Sequence, residues 1–303
     1  MAYGKCMREG RVEGVYAGRF CCKLRPIGTI HGDGVERLGI MEINKVLRAS
    51  RGCAVGLALM LGACVSVGQG AGVANFAGSE MASAERALWA SGVDAENSHN
   101  YELAINAFAN LYERRPSDTF VLTALLRNLR YGGRATDAVS YAEQRAKALL
   151  ADPLVNFEYA KAQLDSGRKI EALNTLRVVA AQMPENWQVH NAIGIAFDSV
   201  DQFDDAIVAY QMALKYSPNS AIVMNNLGIS QAMAGRLQAA INTLEEAAAI
   251  NRTNTHIRQN LALLYAANGE SEKARALAAM DLDAGDLETN LSFYRRFGGG
   301  DTP

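Results

Sequence analysis

Residues 187–220 read WQVHNAIGIAFDSVDQFDDAIVAYQMALKYSPNS. Small residues stand at Gly194 and Ala206, where two helices can approach closely, and the large Ile193, Phe197 and Tyr210 stand around them. Asp201 lies between the two segments, and Asp tolerates turns. Pro218 cannot continue a helix. The stretch predicts two helices joined by a turn, with Gly194 facing Ala206 across the contact. Overfilling such a contact typically costs about 1–3 kcal/mol.

The same pattern recurs with a period of 34 on both sides. Ala104, Ala138, Ala172, Ala206, Ala240 and Ala274 hold that spacing, and so do Gly133, Gly167, Asp201, Gly235 and Gly269. Glycine there takes a left-handed turn at low steric cost. Pro116, Pro184 and Pro218 close three copies, and Leu150 stands in that place in another. A single copy cannot bury its apolar face, so neighbours must stack into one continuous core.

These residues resemble the tetratricopeptide repeat, a pair of antiparallel helices in 34 residues. The resemblance covers residues 85–288, as copies 85–118, 119–152, 153–186, 187–220, 221–254 and 255–288. Leu227, Gly228 and Ala247 carry it in the fifth copy, and Leu261, Ala262 and Tyr265 in the sixth. The first copy matches only in its second half, through Tyr101, Ala104, Phe108 and Pro116. The resemblance implies an all-α solenoid of about six helix pairs in a right-handed superhelix. Residues 289–303 form a tail, and the acidic stretch from residue 281 reads as a polar cap.

The resemblance further implies that first helices line a concave groove that binds partner proteins. Asn191, Asn225, Asn226 and Asn260 fall at groove positions, and an asparagine can both donate to and accept from a peptide amide. Ile195, Ile229 and Leu263 supply an apolar floor. The other reading of the asparagines is hydrogen bonding within and between helices, or exposure to solvent. Arg127, Arg130 and Lys161 take equivalent places nearer the amino terminus, where they meet an acidic partner segment or stand as solvated charge. The two-lysine carboxylate clamp of some co-chaperone repeats is not evident.

The amino-terminal region has a different character. All five cysteines lie at or before Cys64, and that segment holds 10 basic and 5 acidic residues against 20 and 27 afterwards. An acidic body is unsuited to phosphate backbones, so no nucleic-acid partner is expected. From residue 41, Lys45, Arg48 and Arg51 precede the apolar run 53–63, too short to span a bilayer. Leu61-Gly62-Ala63-Cys64 looks like a bacterial lipobox. Carried over, residues 41–63 are a signal peptide, Cys64 is the lipidated first residue, and 64–84 form a Gly/Ala-rich tether. Val65, where an Asp would retain the protein at the inner membrane, directs it to the outer membrane, facing the periplasm; without processing the chain is cytoplasmic. Residues 1–40 read as an over-extended start or a disordered extension.

Catalytic motifs are missing from the sequence. His31, His99, His190 and His256 form no metal-spaced pair, and neither a nucleophile elbow nor a phosphate loop occurs. His190 reads as a packing residue, and Asp204 with Asp205 as exposed acids at a helix start. The sequence therefore points to a non-enzymatic scaffold with no cofactor, metal or small-molecule substrate. Leader, tether and repeats together are similar to the tetratricopeptide-repeat lipoproteins of tight-adherence (Tad, Flp-type) pilus assembly, thought to assist an outer-membrane secretin. Alternatives are a pilotin-like secretin chaperone of type IV pili, or an envelope adaptor for cell-wall hydrolases or proteolysis.

Overall fold

The structure is a computed structural model that describes residues 81–281. Twelve α-helices and no strand occupy the described residues, as six antiparallel pairs. They are α1 Ser83–Asn97 with α2 Tyr101–Arg114, α3 Thr119–Tyr131 with α4 Ala135–Arg145, and α5 Pro153–Asp165 with α6 Lys169–Gln182. The second half holds α7 Trp187–Ser199 with α8 Phe203–Tyr216, α9 Ala221–Met233 with α10 Leu237–Ile250, and α11 Thr255–Ala267 with α12 Ser271–Ala278. This is the helix-pair solenoid expected. The expected signal peptide 41–63, Cys64, residues 1–40 and the expected tail 289–303 lie outside the described residues. The expected tether overlaps the fold at its end: α1 begins at Ser83, and Met81 is buried in the core.

The sequence sets both ends of each pair. Asp118, Asp152, Asn186, Ser220 and Asn254 recur every 34 residues as N-caps, and each side chain accepts amide hydrogens from the first turn of its helix. Between the helices of each pair, one residue has positive φ: His99, Gly133, Gly167, Asp201, Gly235 and Gly269. The turn expected at five of these therefore extends to a sixth, where histidine is the residue held at φ 58°. Proline is not what ends the second helices. α6, α8 and α10 stop at equivalent places although only the first two are followed by proline. Where Leu150 replaces it, α4 stops early at Arg145 and a 3-10 turn spans Lys147–Ala151.

All six period-marking alanines are completely buried, and the core runs along the stack through them. The partner of Gly194 differs from the expectation. A Cβ at 194 would lie 2.5 Å from Cε1 of Tyr210, so Gly194 faces the tyrosine ring and not Ala206. Gly92 meets Phe108 in the same way, and Gly228 meets Leu244 with the Ala240 carbonyl beside it. The third pair has Ala160 and Leu176 at the equivalent places. In four of the six pairs a small residue on the first helix stands opposite a large one on the second; the second pair reverses this with Leu126 and Ala142, and the sixth has Ala262 and Ala278.

Two substitutions separate backbone strain from packing. Gly167→Ala places a methyl in open space but at φ 86°, so it should lower stability by about 1–2 kcal/mol through the backbone alone. Gly194→Ala should lower it by about 1–3 kcal/mol through overpacking. Adding Tyr210→Leu, which recreates the Ala160–Leu176 pairing, should recover part of that loss. Urea unfolding of the single and double variants measures the coupling; strictly additive losses would contradict the packing account.

Candidate interaction face

First helices stack side by side, and residues 31 to 35 apart meet between adjacent pairs. In the amino-terminal half these meetings are ionic. Arg127 Nε and Nη2 donate to the Glu96 carboxylate at 2.6 and 2.9 Å, and Asn128 Nδ2 reaches Glu96 at 3.1 Å. Arg130 lies 3.2 Å from Asp165 and 3.7 Å from Glu158, and Lys161 lies 2.6 Å from Glu158. Three bases thus face three acids. Arg127, Arg130 and Lys161 each pair with a carboxylate of the fold.

Burial sets the electrostatics of this cluster. It pushes the Lys161 ammonium down to about 8, against the pull of Glu158. Burial works against the Glu158 charge too, but Lys161, Arg130 and Arg127 hold its carboxyl below the usual range. Arg130 Nε and Glu158 Oε2 are buried without a hydrogen bond, as is Asn128 Oδ1. The network is tight but incompletely satisfied.

The carboxy-terminal half is uncharged. Asn260 Nδ2 donates to Asn225 Oδ1 at 2.8 Å, and Asn226 Nδ2 donates to Asn191 Oδ1 at 3.1 Å. Asn225 Nδ2 approaches Asn226 Oδ1 at 3.5 Å, which joins the two contacts into one ladder across three repeats. Asn191, Asn225 and Asn260 are buried and Asn226 is half-buried. Of the two readings of the asparagines, hydrogen bonding between helices describes these contacts. Ile195, Ile229 and Leu263 are half-buried along the same helices and form an apolar strip beside the ladder.

Asp198, which the sequence reading did not single out, joins three helices. Its carboxylate accepts from the Tyr210 hydroxyl of α8 at 2.7 Å and from the Ser230 hydroxyl of α9 at 2.5 Å. Burial raises it to about 6, and the two hydroxyls oppose that rise. His190 behaves as a packing residue: its ring stacks on Tyr216 at 5.7 Å, and Nε2 lies 2.7 Å from the Pro184 carbonyl oxygen. Asp204 and Asp205 are exposed, and Asp204 pairs with Arg236 at 2.7 Å. Among the described residues no group of three His, Cys, Asp or Glu side chains could hold a metal ion. No described helix is long and apolar enough to cross a membrane.

Residues 231–287 match the family model described as tetratricopeptide repeat. Over 124 residues the chain is 31% identical to BBSome complex member BBS4 of Xenopus tropicalis, covering 40% of this chain and 24% of that protein. Over 71 residues it is 35% identical to the peroxisomal targeting signal receptor of Candida glabrata, covering 23% of this chain and 12% of the receptor. The chain spans a quarter or less of the length of these curated relatives. A tetratricopeptide repeat protein from Parabacteroides merdae superposes with a TM-score of 0.54 at 13% identity, covering 72% of this chain and 90% of that one. A thermophilic one from Thermus thermophilus gives 0.50 at 22% identity, covering 58% and 98%. The described array is a tetratricopeptide-repeat solenoid.

Two variants read out the face. Arg130→Met strands Asp165 and weakens the hold on Glu158, and should lower stability by roughly 3 kcal/mol in urea unfolding. A loss below half that would mean the cluster is a surface network. Asp198 titrates higher in the folded chain than in the unfolded one, so its contribution is fully present below the usual pKa of 3.8 and is lost as pH rises through about 6. Asp198→Asn should therefore flatten the stability difference between pH 4 and 7 relative to the parent protein. Parallel curves for the two proteins would rule out the raised carboxyl.

Proposed function

We propose that this protein is a non-enzymatic protein-interaction scaffold, lipid-anchored through Cys64 at the outer membrane and facing the periplasm, that assists assembly of a Flp/Tad-type pilus or its secretin. The observation that carries the interaction role is the strip of Ile195, Ile229 and Leu263. It leaves apolar surface half open along one run of stacked helices, beside an asparagine ladder whose amides are bonded to one another. A floor of this kind holds a peptide by shape. The relatives agree in kind: one is by name a member of a complex and the other a targeting-signal receptor.

The anchor and the pathway rest on the sequence. A basic stretch, an apolar run and Leu61-Gly62-Ala63-Cys64 coincide at one place. Several acyl chains on one cysteine hold a protein stably at a membrane, because each buried CH2 contributes about 0.8 kcal/mol. The Gly/Ala-rich residues 65–80 that precede the fold reach roughly 20–24 Å as a flexible tether and keep the array clear of the lipid surface.

Intact mass and membrane fractionation of the native protein and of Cys64→Ser test the anchor. A triacylated product beginning at Cys64 in the membrane, with the variant soluble, is the expected result. Loss of secretin multimers in cells carrying the variant is expected on the pilus reading. A soluble, unprocessed native protein would remove the envelope role and leave a cytoplasmic adaptor.

A further inference from the structure

Every other acid–base grouping described on the stacked first helices is balanced from within: Glu96 by Arg127, Asp165 by Arg130, and Glu158 by Lys161 and Arg130. Asp94 of α1 lacks an ion pair among the described residues but is exposed; Asp198 lacks one and is half-buried. Among the described residues it has no ion pair, and nothing cationic is among the groups that hold its charge; only the hydroxyls of Tyr210 and Ser230 do so. The ammonium of Lys169, the first residue of α6, is spent on the carbonyl oxygen of Ser199 at the end of α7 at 2.6 Å. Asp198 is also well placed to be met. Asn191, Ile195 and Asp198 are spaced four and three apart, one stripe of α7, and Ile195 and Asp198 are both half-buried. The neighbouring stripe of α9 is Asn225, Ile229 and Ala232, so no charge of that stripe competes.

We infer that Asp198 is the charge-reading point of the interaction face and receives the ammonium or guanidinium of a Lys or Arg in an extended partner segment lying over Asn191, Ile195 and Ile229. This rests on the proposal that the inner helices bind such a segment. The chemistry is local. A carboxylate has about four lone-pair positions, and two hydroxyls occupy two of them. The hydroxyls fix the carboxylate on α8 and α9, and the remaining lone pairs are free to accept a charge-assisted bond. An uncompensated, partly buried carboxylate gains more from an arriving cation than a solvated one does. Its raised pKa has the same origin, and a bound cation would bring it down again.

The experiment is a positional-scanning array of acetylated decapeptides, offered to the full chain and to Asp198→Asn at near-physiological salt. Lys and Arg should be selected at one position by the parent protein. For the best peptide, Asp198→Asn should weaken binding roughly ten- to hundredfold, the range of a hydrogen bond to a charged group. The same peptide with Met in place of the selected Lys should bind both proteins alike. Affinity of the parent for the Lys peptide should fall between pH 7 and pH 5, and affinity for the Met peptide should not. That pH comparison decides the matter even if the variant folds poorly. Peptides bound without a basic preference, or with one that survives in Asp198→Asn, would overturn the assignment and leave the interaction face standing. Failure of the parent to bind any peptide would overturn both.

Discussion

Close approach within each helix pair is the constraint on which the rest depends. Where Gly194 meets the Tyr210 ring, and Gly92 the Phe108 ring, the missing side chain brings two backbones together and a large ring fills the space beside them. Between pairs, the second helix of one packs on the first helix of the next, and first helices come side by side. That stacking brings residues 31 to 35 apart into hydrogen-bonding range, as in Arg127 with Glu96 and Asn260 with Asn225. The inner face is thus a consequence of the packing behind it. The glycine also couples the two: Tyr210 fills the space over Gly194 with its ring and holds Asp198 with its hydroxyl.

The buried polar groups between repeats divide into two chemistries with different consequences. An asparagine ladder is neutral, and its bonds are made without desolvating a charge. The ionic cluster of the amino-terminal half desolvates Glu158 and much of Arg130 and Lys161, and buried pairs stabilise little relative to apolar packing of the same volume. What the ionic cluster does supply is register. Arg127 points back to Glu96 of the preceding pair while Arg130, less than one turn on, points forward to Asp165 of the next. A sliding of α3 along either neighbour would break one of these contacts and leave a charge unpaired. Nearest-neighbour stacks lack long-range contacts to fix their alignment, so charge pairing of this kind specifies it locally.

Much of the fold was legible in the sequence because it is written at fixed spacing. The six alanines marked the repeat, and all six are fully buried. Glycine marked four of the six turns and Asp201 a fifth at the same spacing; His99 hid the sixth, since only the backbone reveals that a histidine holds positive φ there. The N-caps Asp118, Asp152, Asn186, Ser220 and Asn254 were equally regular and give a sharper start for each pair than the alanines do. The face was less legible. Arg127, Arg130 and Lys161 stood out as bases on groove positions, but their partners Glu96, Glu158 and Asp165 come from the lateral offset of stacked helices, which no single repeat encodes. Asp198 was missed for the same reason: Ser230 is 32 residues away and Tyr210 lies on the opposite helix of the pair.

The internal neutralisation of one half of the face also says how it can discriminate. To bind at Arg127 or Arg130, an acidic segment would first have to displace Glu96 or Asp165, which are already held in place at no translational cost. Effective concentrations of groups fixed in a fold exceed any plausible partner concentration, so the exchange runs against the incoming carboxylate. Acidic chains are thus rejected at one end without a repulsive charge. At the other end the ladder amides are taken up by one another and the strip offers apolar surface, which does not distinguish charge. Charge selection in this array is then expected where a half-buried charge is left without an ionic partner in the fold, as Asp198 is at the junction of the fourth and fifth repeats.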